Sequence, residues 1–379
     1  MERDELAAWL RLVLTPQVGN THARRLLAAF GLPQRIFEAN PAALAEVVPP
    51  AQAKALSSRP APLDELIEAT TRWLAEQPGE RRAITLGDAD YPAGLLQTED
   101  PPLMLYAMGA SLADGEPMAW PDAIAVVGSR NPTPQGAANA RQFALSFAQA
   151  GLTVVSGLAL GVDAAAHEGA LEGAASAGLA TIAVVGTGLD RVYPRQHREL
   201  AHRIASRGLL LSEYPLGTPP LAENFPRRNR IISALSRGTL VVEAALQSGS
   251  LITARMAVEQ GREVFAIPGS IHSPQARGCH ALIKQGAKLV ETAQDVLEEL
   301  APGHPPARPT TPDAPATPPP SASADVVLRA CGFDPVSFDA LQARTGFATP
   351  ALQALLLDLE LQGAVARMPG GLFQRTGSA

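Results

Sequence analysis

The chain has few aromatic residues, few cysteines and no long apolar run. Aromatic residues make up only 4% of the 379 residues although 46% are hydrophobic, so the core must be built mainly from Ala, Leu and Val. Two distant cysteines, Cys279 and Cys331, predict neither a disulfide framework nor a zinc site. No apolar run reaches the roughly 18 residues of a membrane span. The acidic start Met-Glu-Arg-Asp-Glu is unlike a signal peptide, so we expect a cytoplasmic protein without a membrane partner.

Positive charge is concentrated in one segment of an otherwise acidic chain. Between Arg191 and Arg237 there are nine arginines and three acidic residues, which give this segment a net charge of +6. Because the whole chain has a net charge of −6, the residues outside the segment sum to −12. Lysine is scarce there, so arginine would supply almost all phosphate contacts. A basic segment within an acidic protein is typical of a surface that binds a polyanion. The alternative is a solvated face of paired arginines.

Residues 1–78 predict an all-helical domain. One helix is expected from Glu5 to Leu14 and a second from about Thr21 to Phe30, joined by the turn at 15–20. This is a helix-hairpin-helix pattern, in which the hairpin amides are free donors that can receive a phosphate. A plain helical bundle accounts for the same pattern equally well.

Residues 79–300 alternate short apolar strands with helical segments of 10–15 residues. Continuous apolar strands separated by helices indicate a parallel sheet that is covered on both faces. Ligands of such sheets bind beyond the carboxyl ends of the strands, which is where the glycines and serines of this chain fall. The predicted strands are 124–127, 152–155, 181–185, 208–211, 240–242 and 264–267.

The last part of the sequence predicts a linker and a small third domain. Residues 301–324 hold nine prolines, which favour an extended linker that cannot bury a core. Residues 325–379 predict three helices followed by a hairpin, with Ser337 capping the second helix and Thr349 opening the third. Three helices and a hairpin make a winged helix.

The third helix of that domain lacks the charge expected of a DNA reader. Winged helices often read DNA with this helix, but residues 350–362 contain no Lys or Arg and carry Asp358 and Glu360. Attraction to phosphate is therefore missing where it should be greatest. We expect the domain to contact another protein or to pack against the rest of the chain.

Loops that follow the predicted strands carry the candidate contacts to a polyanion. In the first loop, 128–133, a guanidinium lies next to helix amides that favour an anion; its glycine spacing is not the dinucleotide fingerprint. The fourth loop, 247–251, puts small hydroxyls and a glycine at a helix start. With Phe225 and Tyr214 as stacking surfaces, the arrangement predicts a groove that holds a single strand without reading its sequence. The predicted DNA-binding residues are Gly128, Ser129, Arg130, Gly157, Phe225, Arg227, Arg228, Asn229, Arg230, Ser248, Gly249 and Ser250.

The second loop, 156–163, could suggest catalysis. A Ser156/His167/Asp163 triad is conceivable, but a nucleophile elbow requires Gly-x-Ser-x-Gly and this loop does not have it. Asp163 and His167 are four residues apart and so share one helix face. We therefore expect His167 to cap or pack, with Asp163 as its partner.

Taken together, these residues closely resemble the DNA-processing protein A family, also called DprA or Smf. The resemblance extends over nearly the whole chain, because the flanking helical and winged-helix domains look like those of the longer family members. The motifs that carry it are Val127-Gly128-Ser129-Arg130, Ser156-Gly157-Leu158-Ala159, Gly186-Thr187-Gly188, Ser212-Glu213-Tyr214, Phe225-Pro226-Arg227-Arg228-Asn229-Arg230, Ser248-Gly249-Ser250, Ile267-Pro268-Gly269-Ser270 and Gly278-Cys279-His280.

The resemblance implies an α/β fold with an extended Rossmann-like parallel-sheet core that binds single-stranded DNA. A SAM-like helical domain would precede this core and a winged helix would follow it. The family's arginine after Gly-Ser falls on Arg130, and its Arg-Asn-Arg segment falls on 228–230. The resemblance also implies a dimer that protects incoming DNA in natural transformation and loads the RecA recombinase, with no catalysis and no cofactor.

Two other classes of function remain open. Rossmann-like folds with glycine loops also hydrolyse nucleoside monophosphates, and Glu243 lies near the fourth loop, where such an enzyme could place a carboxylate. No second acid or base is evident beside it. The third class is a pure protein scaffold, which would bind neither nucleotide nor DNA.

The expected dimer contact is the apolar segment from Ala281 to Ile283, which Gly278 and Gly286 flank. A two-fold interface uses the same patch on both subunits, so one charged substitution is repeated across the axis. The alternative is that Leu282 and Ile283 belong to the core.

Overall fold

A computed structural model describes residues 1–112, 118, 120–175, 178–300 and 322–376. The chain begins with six helices. Proline opens three of them, where its fixed φ suits the first turn, and Asn40 caps the fourth by accepting a hydrogen bond from the Ala43 amide at 2.9 Å. The helices are α1 (Arg3–Leu14), α2 (Asn20–Phe30), α3 (Pro33–Glu38), α4 (Pro41–Val47), α5 (Pro50–Leu56) and α6 (Leu63–Glu76).

The predicted hairpin between α1 and α2 is turned toward the rest of the protein. Asn20, at the start of α2, donates through its side chain to Glu213 at 3.1 Å. Arg24 on the same helix donates to the Glu99 carbonyl at 2.8 Å. Trp9 and Trp73 are buried in a core that continues into the next domain. The helical prediction is confirmed, and the hairpin is part of a contact between domains.

The central domain is built on one nine-stranded sheet with the order β1-β2-β6-β5-β4-β3-β7-β8-β9. The seven strands from β6 to β9 in that order run parallel, and β1 and β2 extend the sheet with antiparallel pairs. The strands are β1 (Arg81–Thr85), β2 (Met104–Met108), β3 (Ala123–Val127), β4 (Thr153–Ser156), β5 (Thr181–Val185), β6 (Leu209–Ser212), β7 (Gly238–Val241), β8 (Glu263–Ala266) and β9 (Lys288–Leu289).

Helices cover both faces of this sheet, as the continuous apolar strands predict. The strand order reverses at β3, which has β4 on one side and β7 on the other. In open parallel sheets the crevice at such a reversal is the usual ligand site. The helices are α7 (Ala93–Leu96), α8 (Pro134–Gln149), α9 (Val162–Gly173), α10 (Arg198–Arg207), α11 (Asn224–Ala234), α12 (Ser250–Glu259), α13 (Arg277–Lys284) and α14 (Ala293–Leu300).

The third domain is a winged helix, as predicted. Ser337 caps its second helix by accepting from the Ala340 amide at 3.2 Å. Its three strands pair antiparallel in the order β10-β12-β11 around a separate core. The predicted linker, 301–324, lies outside the described residues except for its last three, which begin a helix. The elements are α15 (Ala322–Cys331), β10 (Val336–Ser337), α16 (Phe338–Thr345), α17 (Thr349–Leu361), β11 (Val365–Met368) and β12 (Leu372–Arg375).

Within the described residues, no helix is long and apolar enough to cross a membrane.

The expected pairing of His167 with Asp163 is wrong. His167 is fully buried, and its Nδ1 lies 2.7 Å from the Thr181 hydroxyl, which itself donates to the Val154 carbonyl at 2.6 Å. Because the hydroxyl proton is used in that bond, Nδ1 of His167 must carry the proton and donate. Burial lowers the pKa of His167 to about 3.

The buried His167 predicts a loss of stability in mild acid. Its pKa falls from 6.5 to about 3 on folding, so the unfolded chain binds one more proton between those values. The free energy of unfolding should therefore fall by about 1.4 kcal/mol per pH unit below pH 6.5. Urea titrations at several pH values test this, with His167→Gln as the control that removes the titrating group. Parallel pH profiles for both proteins would contradict the assignment.

Candidate nucleic-acid interface

A groove with a volume of about 690 Å³ lies at the carboxyl end of the parallel strands. The loop after β3 and the turn before α12 form two of its sides, and the first turns of α11 form another. The groove therefore lies at the reversal of strand order. Nine of the twelve predicted DNA-binding residues line it: Gly128, Ser129, Arg130, Phe225, Arg228, Asn229, Ser248, Gly249 and Ser250.

Three flat groups stack at the groove. The guanidinium of Arg130 lies 5.6 Å from the ring centre of Phe225. On the same ring Tyr193 packs at 5.7 Å between centroids, with the planes inclined at 39°. Arg130 is exposed and Tyr193 is 47% exposed, so both are open to a ligand. Planar side chains beside cationic charge are the usual holders of unpaired bases.

Tyr193 is the functional aromatic that sequence reasoning missed. Tyr214 is not among the groove-lining residues. Its hydroxyl donates to the Asn224 carbonyl at 3.1 Å, and burial raises the pKa of Tyr214 to about 12. A signal for Tyr193 was present, because the Tyr-Pro pair at 193–194 ends the glycine-rich loop, 186–194, that follows β5. Most of the other large aromatic side chains are buried in the core, including Trp9, Phe143 and Phe265.

The first loop does not offer its helix amides to a phosphate. Glu243, which follows β7, places its carboxylate at the start of α8 and accepts from the Thr133 amide at 2.9 Å and the Thr133 hydroxyl at 2.6 Å. Gly136 provides the space, since a Cβ there would lie 2.3 Å from the Glu243 carboxyl carbon. Burial raises the pKa of Glu243, and the bonds from Thr133 oppose that rise. The anion site predicted at this helix is filled by the chain's own carboxylate.

The backbone amides of the second loop are also hydrogen-bonded within the protein. Asp163 accepts from the amides of Gly157 and Ala159, each at 3.2 Å. Between them Leu158 adopts a positive φ of 58°, and its carbonyl lies 2.9 Å from Nδ1 of His197. A non-glycine residue in this region is strained and must be held by its surroundings. These amides are therefore structural, not free donors for DNA.

Arg228 forms the floor of the groove and its side chain points inward. The residue is only 4% exposed, and its guanidinium donates to the Gly157 carbonyl at 2.9 Å. A Cβ at position 157 would lie 1.5 Å from that guanidinium, so the glycine is required for the contact. Burial lowers the pKa of Arg228 and raises the pKa of Asp163, while the attraction between the two charges opposes both shifts.

Arg230 points away from the groove, toward the helical domain. It bonds Glu213 at 2.5 Å and lies 3.7 Å from Asp100. Glu213 also receives the bond from Asn20, so this ion pair joins α11 to the first domain. Arg227, by contrast, is exposed and forms no ion pair with any residue that the structure describes. The predicted arginine group is thus divided among three different surroundings.

The fourth loop keeps small hydroxyls at the groove. Ser248 and Ser250 lie 2.7 Å apart through their hydroxyl oxygens, and Asn229 reaches the Gly249 carbonyl at 3.4 Å. These groups can exchange such local bonds for bonds to a sugar or phosphate, because hydroxyls rotate freely.

The fold defines a class of protein with a Rossmann-like central domain and an appended winged helix. Residues 82–301 match the family model of DNA recombination-mediator protein A, and residues 311–371 match that of the DprA winged helix domain. The chain belongs to the DNA recombination-mediator protein A family.

Known relatives extend over most of the sequence. Protein Smf of Escherichia coli strain K12 is 44% identical over 320 residues, which are 80% of each chain. Protein Smf of Synechocystis is 35% identical over 410 residues, which cover 99% of this chain and all of the relative.

Two solved structures are also similar. The X-ray structure of DNA processing protein A from Streptococcus pneumoniae has a TM-score of 0.63 at 36% identity and covers 79% of this chain and 98% of that one. The second is a structure of DNA processing protein A from Helicobacter pylori, described for its single-stranded DNA binding mode. It has a TM-score of 0.50 at 32% identity and covers 58% of this chain and 95% of that one.

The geometry predicts that Arg230 contributes mainly to stability and Arg227 mainly to DNA binding. Arg230→Ala leaves Glu213 without its partner and should lower the free energy of unfolding by about 2–3 kcal/mol, less than for a fully buried pair. Arg227→Ala should leave stability within about 0.5 kcal/mol but weaken binding to single-stranded DNA about tenfold, or about 1.4 kcal/mol. Urea unfolding and fluorescence anisotropy measure the two effects. The same loss of affinity in both variants at unchanged stability would contradict this division.

Proposed function

We propose that the protein binds single-stranded DNA in the groove, with bases against the Arg130–Phe225–Tyr193 stack and phosphates against exposed arginines. The stack is the observation that carries this proposal. It offers flat surfaces and positive charge together, which hold an unpaired base whatever its identity, so binding should be largely independent of sequence. The Helicobacter pylori relative, whose structure concerns single-stranded DNA binding, supports the same ligand.

The wider role that we propose is protection of incoming DNA during natural transformation and its transfer to the RecA recombinase, inside the cytoplasm. A binder that holds the backbone loosely and ignores sequence suits this task, because it must release any strand to a filament. Curated relatives described as DNA processing proteins support the assignment to DNA handling.

The surroundings of Glu243 disfavour the alternative of a nucleoside monophosphate hydrolase. In a nucleotide-binding fold the helix N-terminus after the first strand receives the phosphate. Here Glu243 occupies that position, so a bound phosphate would meet a carboxylate at close range. The carboxylate is also engaged by Thr133 through two hydrogen bonds, which leaves it poorly placed to act as a base.

The test of this function is a comparison of single-stranded and duplex oligonucleotides of the same sequence. We expect tighter binding of the single strand, with affinity falling steeply with salt at a slope of about −0.7 for each neutralised phosphate. Arg130→Ala should weaken single-strand binding by about 1.5–3 kcal/mol, as for a charge-assisted contact. Arg130→Lys keeps the charge but loses the planar stack, so it should recover only part of the affinity.

Equal affinity of the wild-type protein for the duplex would contradict the proposed ligand. A fall in thermal stability that accompanies the loss of binding in Arg130→Ala would show that this side chain supports the fold. Release of base or phosphate from a nucleoside monophosphate would favour the enzyme.

We propose further that the protein is a dimer, with the contact on the face formed by α13 and the edge strand β9. Both residues of β9 are exposed, and Leu289 is 46% exposed. Leu282 and Ile283 on α13 are half-buried and pack partly against the core. Two grooves joined in this way would raise the effective concentration of the second site on one strand.

Charged substitutions on this face should separate assembly from folding. Leu289→Glu should yield monomers of unchanged stability that bind short oligonucleotides normally and long ones poorly. Leu282→Glu should also dissociate the dimer but lower the free energy of unfolding, because its side chain contacts the core. Light scattering and urea unfolding report the two effects. If both variants remain dimers, this face is not the dimer contact. If the wild-type protein is a monomer at micromolar concentration, the proposal of a dimer is wrong.

A further inference from the structure

A second and larger cavity lies beside the groove. It has a volume of about 1630 Å³ and separates the helical domain from the central domain. We call it the interdomain cleft; its walls are α6 on one side and, on the other, residues 189–192, 195 and the inner face of α10. Tyr193 lines the groove, whereas its neighbours Val192 and Arg195 line the cleft. The two cavities therefore meet at the residues around Tyr193.

The α10 wall of the cleft, which includes residue 195 just before the helix, carries two arginines and a histidine. Arg195 lies in the turn just before α10. Arg198 and His202 are four residues apart on α10, the spacing that places side chains on one helical face about 5–6 Å apart. All three are exposed and line the cleft. Neither arginine forms an ion pair with any residue in the described part of the chain. Their charge is therefore available to a ligand.

The remaining charges of the cleft are largely compensated. On the opposite wall Arg81 bonds Glu76 at 2.7 Å, and at the rim Arg191 bonds Asp190 at 2.9 Å. On α6, Glu65 and Arg72 carry opposite charges, and Glu80 after α6 adds one negative charge. A polyanion that enters the cleft is thus attracted to the α10 wall, where the positive charge is not paired.

We propose that the α10 wall is a second segment of the path of single-stranded DNA. The strand leaves the groove across the exposed face of Tyr193, and its phosphates then pass Arg195 and Arg198, with His202 at the far end. The contacts are to the backbone alone, so this segment adds affinity without sequence preference. The inference rests on the proposed function, because it extends the same strand beyond the groove.

The test compares two lengths of oligonucleotide, one of about 6 nucleotides that fills only the groove and one of about 15 that reaches the cleft, within the range of known single-strand sites. In Arg195→Gln/Arg198→Gln the salt slope for the long strand should become shallower by about 1.4, which is 0.7 for each lost phosphate contact. Its affinity at low salt should fall about tenfold or more. Binding of the short strand should not change.

A matched control is available on the same helix. Arg203 is exposed on α10 and does not line the cleft, so Arg203→Gln removes one charge without removing the path. We expect Arg198→Gln to weaken long-strand binding and Arg203→Gln to leave it unchanged. Circular dichroism and thermal unfolding confirm that each variant is folded.

The outcomes distinguish this inference from the proposed function. If the wild-type protein binds neither length, both fail. If it binds both lengths and the double variant retains the wild-type slope and affinity for the long strand, only the cleft segment fails. Equal losses in Arg198→Gln and Arg203→Gln would also overturn it, because they would show a general effect of net charge.

Discussion

The groove depends on a positive charge that is buried beneath it. Arg228 reaches from α11 under the second loop, bonds the Gly157 carbonyl at 2.9 Å and is compensated by Asp163, which in turn holds the Gly157 and Ala159 amides. Removing either charge would leave the other buried and uncompensated, which is strongly destabilising. This cluster fixes α11 against the sheet, and α11 brings Phe225 to the groove and leaves Arg227 exposed. The exposed site is thus positioned by an interior ion cluster.

A single helical stretch serves three purposes because successive residues of a helix point about 100° apart. From α11, Arg228 points into the interior, Arg230 points to Glu213 and the helical domain, and Arg227 remains exposed. The local excess of arginine is therefore not all available to a ligand. Part of it supports the fold and part of it joins two domains, and the exposed remainder gives the surface its charge.

Most of the architecture could be predicted from the sequence, because apolar strands, proline starts and caps are local signals. The parallel strands, the Ser337 cap and the hairpin of the winged helix follow from such patterns. The antiparallel strands β1 and β2 and the short β9 could not be found in this way, because their place in the sheet is set by neighbours distant in sequence. The twelve predicted site residues were found as motifs, and nine of them line one groove.

The orientation of individual side chains could not be predicted. The motif Phe225-Pro226-Arg227-Arg228-Asn229-Arg230 identifies a basic segment, but only the pairing with Asp163 and Glu213 decides which arginines point away from solvent. Tyr193 and Tyr214 look alike in the sequence, since each precedes a proline in a loop that follows a parallel strand. The packing of Tyr193 on Phe225 distinguishes them, and this contact joins residues 32 positions apart.

Two internal carboxylates explain why the fold of a nucleotide-binding protein would here hold a polymer at its rim. Glu243 fills the start of α8 and Asp163 fills the loop before α9, so the amides there that would accept a mononucleotide phosphate are already bonded to the chain's own carboxylates. The positive charge that remains free for phosphates is on exposed arginines such as Arg130 and Arg227. A mononucleotide would lose its main anchor in this arrangement, whereas a strand retains many weak contacts along its length. Carboxylates that occupy the phosphate positions of a nucleotide site are therefore consistent with the open groove that we propose for a strand, and they leave the proposed path toward the α10 wall clear.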